Sequence, residues 1–136
     1  MYFPYAEADY LHSPECIGIE TDYKDTTVTH EYIKKGKGWL FNTSLKPEEK
    51  NVIAVHYQQK TKENSFKYIL TSARKWGSPI ESAEFIIKIP ERYELTDSTY
   101  NYEYIGQDTD KNVYRIIENG LFPSKELEFS WREKRL

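Results

Sequence analysis

Leu127, Phe129 and Trp131 alternate with Glu126, Glu128 and Ser130, and this two-residue period constrains the chain more than any other feature. Successive side chains of a strand point to opposite faces, so the pattern marks a strand with one buried side. It recurs at residues 39–45, 53–58, 66–71, 84–89 and 100–105. Residues 113–117 form a short apolar run, and 17–20 and 28–33 are weaker strand candidates. Turn signals separate the runs: Gly36-Lys37-Gly38, residues 46–51, residues 60–65, Gly77-Ser78-Pro79, Pro90-Glu91-Arg92, Asp108-Thr109-Asp110 and Asn119-Gly120. Parallel strands need crossovers of about a dozen residues or more, for which these spacings leave no room. The expected fold is therefore all-β: an antiparallel two-sheet β-sandwich, immunoglobulin-like or jelly-roll-like, of about eight strands.

Composition points the same way. Ile, Val and Thr number 26 and aromatic residues 21. These types suit a pleated, half-buried surface and lose χ1 freedom in a helix. The 136 residues are enough for a single β-sandwich domain, 1–136, with a real core. Residues 1–14 hold four aromatics and two prolines and read as an irregular N-terminal strap. Only residues 46–51 invite a helical turn, with Pro47 at its first position. No apolar run approaches the ~20 residues that span a bilayer, so no membrane insertion is expected.

Lys and Arg number 19 against 22 Asp and Glu, giving a net charge of −3 with the signs interspersed. That balance offers nothing to attract nucleic acid, which is not an expected partner. Cys16 is the single cysteine, so neither an intramolecular disulfide nor a cysteine zinc site can form. Beside Ile17 it reads as a buried, inert thiol. The stretch Met1-Tyr2-Phe3-Pro4-Tyr5 lacks a basic and then an apolar region and is not a signal peptide.

No group of residues has the spacing that chemistry demands. Asp108-Thr109-Asp110-Lys111-Asn112 begins like a calcium loop, but Val113 stands where glycine is required and Asn119 where glutamate is. It reads as a polar hairpin turn whose Asp and Asn side chains bond their own backbone. His12, His30 and His56 lack metal-ligand spacing. No nucleophile elbow and no glycine-rich phosphate loop occur. Asn42-Thr43-Ser44 fits a glycosylation acceptor, a pattern that often arises by chance. Catalytic residues, metal ligands and cofactors are therefore all assigned as none, and the chain is expected not to be an enzyme.

Tyrosine is the excess, with twelve copies. Tyr100, Tyr102 and Tyr104 would share one face of a strand. That face is either buried, with hydroxyls at the rim, or exposed as a platform for a ligand. Alternation normally marks the buried face. Trp76, before Gly77 and Pro79, is expected to plug one end of the sandwich, with ligand stacking as its alternative role. Tyr100, Tyr102, Tyr104 and Trp76 are thus the candidate ligand-binding residues.

Three stretches carry a resemblance. They are Trp39-Leu40-Phe41 through Leu45-Lys46-Pro47-Glu48-Glu49 to Val55-His56-Tyr57; Tyr68-Ile69-Leu70-Thr71-Ser72 leading to Trp76-Gly77-Ser78-Pro79-Ile80; and Leu127-Glu128-Phe129-Ser130-Trp131. Over roughly residues 39–131 the chain resembles an exported bacterial family, domain of unknown function 4424. The pattern of that family is a Tyr-x-Leu-Thr strand, a Trp-x-Gly-Pro-Ile turn and a late Leu-x-Phe-x-Trp strand. Here Ser78 separates the glycine from the proline. The resemblance implies a β-sandwich placed outside the bacterial cytoplasm and brings no catalytic residues with it.

The expected function is a non-catalytic cell-envelope or secreted module with a structural or recognition role toward a protein or polysaccharide partner. A carbohydrate-binding module using exposed Tyr and Trp is the alternative, and a small hydrolase the third. Residues 60–67, rich in lysine, and Pro79 and Pro90 are candidates for guarding sheet edges. The pattern does not identify the edge strands or the oligomeric state.

Overall fold

The computed structural model describes residues 2–4, 15–23, 26–41, 52–61, 64–71 and 79–135. They form twelve strands: β1 (Tyr2–Pro4), β2 (Glu15–Tyr23), β3 (Thr26–His30), β4 (Tyr32–Lys34), β5 (Gly38–Phe41), β6 (Val52–Gln58), β7 (Ser65–Tyr68), β8 (Ile80–Pro90), β9 (Tyr93–Ser98), β10 (Glu103–Asp108), β11 (Lys111–Leu121) and β12 (Leu127–Glu133). The strands make four antiparallel three-stranded sheets, and the fold is all-β and sandwich-like, as the alternation predicts. The contacts divide the chain into two compact units, Met1–Lys60 and Thr61–Leu136. Among the described residues no helix is long and apolar enough to cross a membrane.

The first unit holds the sheets β1-β5-β4 and β3-β2-β6. Ile19 of β2 and Trp39 and Phe41 of β5 are its buried centre, with Phe3, Cys16, Ile53, Val55 and Tyr57 against them. Each sheet supplies one side of that core. Cys16 is half-buried, and its carbonyl accepts the Tyr32 hydroxyl at 2.9 Å, joining β2 to β4. Gly38 is buried, paired with Pro4 of β1 and lying against Tyr2 and the Phe3 backbone. A Cβ there would fall on the Tyr2 ring and 2.6 Å from the Phe3 carbonyl oxygen.

The second unit holds the sheets β10-β11-β8 and β7-β12-β9. Ile87, Ile89, Tyr114, Ile116 and Leu121 of the first face Leu95 and Leu127 of the second, with Leu70 and Tyr100 completing the core. β8 and β11 pair over eleven residues, Ile80 to Pro90, without a register shift. Along them Phe85, Ile87 and Ile89 turn inward while Glu84, Ile86 and Lys88 turn to solvent.

Two parts of the chain differ from the alternation reading. Residues 100–105 read as one strand, but β10 starts at Glu103. Residues 99–102 carry the chain from β9 in one sheet to β10 in the other. Thr99 is held there by its hydroxyl, which donates to the Glu126 carbonyl at 2.7 Å and accepts the Glu128 N–H at 3.0 Å. Residues 28–33 are two strands, β3 and β4, in different sheets, divided at Glu31. The possible helical turn at 46–51 and residues 5–14 of the strap lie outside the described residues. Tyr2–Pro4 form β1.

Candidate functional site

A groove of about 650 Å³ opens between the two sheets of the second unit. β7 supplies Phe66 and Tyr68, β12 supplies Leu127, Phe129 and Trp131, and β9 supplies Tyr93. β8 runs along the opposite wall from Glu84 to Pro90, with Phe85, Ile87 and Ile89 turned inward. The size is that of a small-ligand site. Strand alternation builds it: Leu127, Phe129 and Trp131 project from one face of β12, as their two-residue spacing requires.

The rings touch one another. Phe66 and Phe129 are 5.3 Å apart, Phe129 and Trp131 5.9 Å, and Tyr68 and Phe85 6.3 Å, all tilted or edge-on. Such contacts add about 0.5–1.5 kcal/mol beyond burial and hold the walls in place. Tyr93 carries the Arg92 guanidinium 5.0 Å over its ring. Burial pushes the Tyr68 hydroxyl above its ordinary pKa, so it stays neutral throughout physiological pH. The charged members of the wall, Glu84 and Lys88, are on the solvent side of β8. The groove therefore presents aromatic faces over an aliphatic floor, and Tyr68, Tyr93 and Trp131 are the lining residues that carry a hydroxyl or an indole N–H.

Of the four ligand-binding candidates from the sequence, the three that are described, Tyr100, Tyr102 and Tyr104, do not line this groove. Tyr100 is buried in the core, its hydroxyl bonded to the Lys125 carbonyl at 2.9 Å and pushed up by burial and by Glu118 and Glu126. Tyr102 and Tyr104 meet instead around the buried Tyr114, with ring centroids 5.7 and 5.5 Å from it. Both are partly exposed, at 37% and 55%, yet both hydroxyls are engaged, Tyr102 with the Leu95 carbonyl and Tyr104 with Asn112. Trp76 lies outside the described residues.

The polar centre of the unit is Asn112, 1% exposed. Its amide donates to the carbonyls of Tyr93 at 3.0 Å and Glu91 at 3.4 Å. Its oxygen accepts from the Tyr104 hydroxyl and the Gln107 amide, each at 3.4 Å. Every hydrogen-bonding position of a buried side chain is thus filled, which is what burial demands. Tyr104 and Gln107 are three residues apart and in a regular strand would face opposite ways. A bulge between Tyr104 and Gly106 restores them to one side, and Gly106 accommodates it with φ near +129.

The Asp108–Asn112 stretch is the β10–β11 hairpin. Thr109 and Asp110 form its turn, with Thr109 at φ +61. Lys88 lies 2.9 Å from Asp108, and this bond and charge hold the carboxyl below its usual value. Asn112 bonds neighbouring strands there, not its own turn. No group of three His, Cys, Asp or Glu placed to hold a metal occurs among the described residues. His30 bonds Thr21 at 2.7 Å and lies against Phe41. His56 stands on β6, on the other side of β2 from His30. His12 is outside the described residues.

Sequence reasoning found Phe129 and Trp131 as one strand face but did not select that face as a site. β9, which brings Tyr93, escaped notice because Thr96 is bulged opposite the Ser130–Trp131 step and breaks the visible alternation. Comparison with known proteins gives no match: no family model, no curated protein and no solved structure matches the chain.

Proposed function

We propose that this protein is a non-catalytic recognition module of the bacterial cell envelope or secreted space, and that it binds through the groove of its second unit. The observation that carries this reading is the wall of aromatic rings around a space of about 650 Å³. The chemistry fits an uncharged, apolar surface, such as hydrophobic side chains of a partner polypeptide. Among the described residues the charged members of the lining, Glu84 and Lys88, are turned to solvent, and unpaired charge in such a space would be costly. Location outside the cytoplasm is supported by the single cysteine and by the Trp76–Ile80 and Leu127–Trp131 motifs.

A carbohydrate is the second reading. It is favoured by Tyr68, Tyr93 and Trp131, whose rings stack on sugar faces while their polar atoms reach hydroxyls. One titration separates the two. Nile red and an uncharged hydrophobic peptide are added to one sample, soluble glucan and chitin oligosaccharides to another. The first reading predicts saturable binding of dye and peptide that Trp131→Ala abolishes. Saturation by an oligosaccharide alone supports the second. Binding unaffected by Trp131→Ala refutes the groove as the site.

A further inference from the structure

Among the described residues the second unit has four edge strands, and three are blunted. β7 has four residues. β10 is bulged at Tyr104–Gly106. β9 offers the N–H and C=O of Leu95, and tyrosine hydroxyls take both. β8 is different: eleven residues, unshifted against β11, and among the described residues bonded on one side only in its sheet.

The register fixes which backbone groups face outward. The Glu91 N–H donates to the Asp110 carbonyl at 2.9 Å. Alternation from there commits Ile89, Ile87, Phe85 and Ala83 to β11 and turns the N–H and C=O of Ser82, Glu84, Ile86 and Lys88 away from it. Pro90 belongs to the outward set, where its missing N–H costs the sheet nothing. Ile86 is 46% exposed, an apolar side chain flanked at two residues on either side by Glu84 and Lys88.

We infer that β8 of a second copy of this chain pairs with this edge, antiparallel, about a two-fold axis at Ile86. In that register Glu84 of each copy lies directly opposite Lys88 of the other, whose amine also holds Asp108 of its own chain at 2.9 Å, and Ile86 opposes Ile86. About eight backbone hydrogen bonds then form across the pair, counting two for each fully bonded residue pair. The neighbouring registers are worse. Moving the axis by one residue sets Glu84 or Lys88 against Ile86. Moving it by two sets Glu84 against Glu84 or Lys88 against Lys88, and like charges directly opposite are destabilising. An isologous pairing closes on itself and gives a dimer, with no route to a fibre through this edge. The pairing strand is also a wall of the groove, from Glu84 to Pro90, but the inference rests on register and charge and not on the groove's ligand.

Sedimentation equilibrium of the whole chain tests it, with Glu84→Lys and Lys88→Glu as variants. Each variant alone places like charges opposite each other at both ends, and its dimer dissociation constant is expected to rise by about tenfold or more. An equal mixture of the two restores both opposite-charge pairs and is expected to associate as the unaltered chain does. A monomer at all concentrations, a dimer indifferent to Glu84→Lys, or no recovery in the mixture overturns the inference. Amide exchange of the unaltered chain decides the matter without variants. Protection of Ser82, Glu84, Ile86 and Lys88 that grows with protein concentration supports the pairing, and concentration-independent exchange there refutes it.

Discussion

The Tyr114 hydroxyl accepts the backbone N–H of Leu95 at 3.2 Å, tying β11 in one sheet of the second unit to β9 in the other. Trp131, opposite Leu95, gives its own N–H to Asn64 on the far side of β12. Leu95 therefore has no backbone partner in its ladder, and the facing sheet supplies one. Tyr102 completes the arrangement by donating to the Leu95 carbonyl at 3.3 Å.

Tyr114→Phe keeps the ring and removes the acceptor. Leu95 is buried, so its N–H is left unsatisfied at a cost of about 1–2 kcal/mol. Tyr102→Phe should cost less, about 0.5–1 kcal/mol, because the partly exposed rim admits water. Urea unfolding of the two variants is expected to place their midpoints in that order.

Asn112→Leu conserves volume roughly but removes the partner of the Tyr93 and Glu91 carbonyls and of the Tyr104 and Gln107 donors, bonds that are part-buried. About 1–3 kcal/mol of destabilisation is expected, since the Tyr93 carbonyl is the group least able to turn to water. Gly106→Ala should cost about 1–2 kcal/mol for a different reason, since its φ near +129 excludes a side chain although space is open around it. A Gly106→Ala chain as stable as the parent would show that the bulge does not set the facing of Tyr104 and Gln107.

Glu126 gives a pH signature. Burial pushes its carboxyl up, but the N–H groups of Thr71 and Leu70, donating to Oε1 at 2.7 and 2.9 Å, outweigh that and hold it below its ordinary value. The folded pKa being depressed, its contribution is complete above the ordinary carboxylate value of ~4.3. It is lost as pH falls through the lower, folded value. Glu126→Gln should thus lower stability near neutrality and bring little further loss below pH ~4, where the parent converges on it. Unfolding measured across that window checks the convergence.

Gly38→Ala acts in the first unit. The added methyl meets the Tyr2 ring and the Phe3 carbonyl, and backbone does not yield as a flexible side chain does. Displacement of β1 and a loss of about 1–3 kcal/mol are expected. The Trp39 emission, stacked 6.0 Å from Phe3, should report it.

The alternation in residues 127–131, 84–89 and 53–58 was legible because each of those strands has one wet face and one dry one. The facing of Phe129 and Trp131 follows directly. The bulge at Gly106 was not legible, since an inserted residue erases the period just where it matters, and Ile105 then looks like a misplaced core residue. Asn112 was legible only as a turn residue. Its burial arises from Glu91, Tyr93, Tyr104 and Gln107, which pairing brings from three other segments. Nothing in residues 60–65 beyond a turn signal marks where the contacts divide, because the division is a matter of which strands share a core. The groove was equally hidden: it joins Phe66, Phe85, Tyr93 and Trp131 from four strands, and no spacing along the chain encodes that meeting.

The most direct test of groove recognition is a heteronuclear NMR titration of the whole chain with Nile red, the hydrophobic peptide and the oligosaccharides in turn. The account predicts saturable shifts concentrated at Phe66, Phe85, Phe129 and Trp131, with Tyr104 and the Asp108–Asn112 hairpin unmoved. Saturable shifts centred on Tyr102 and Tyr104, with the groove residues silent, would contradict it.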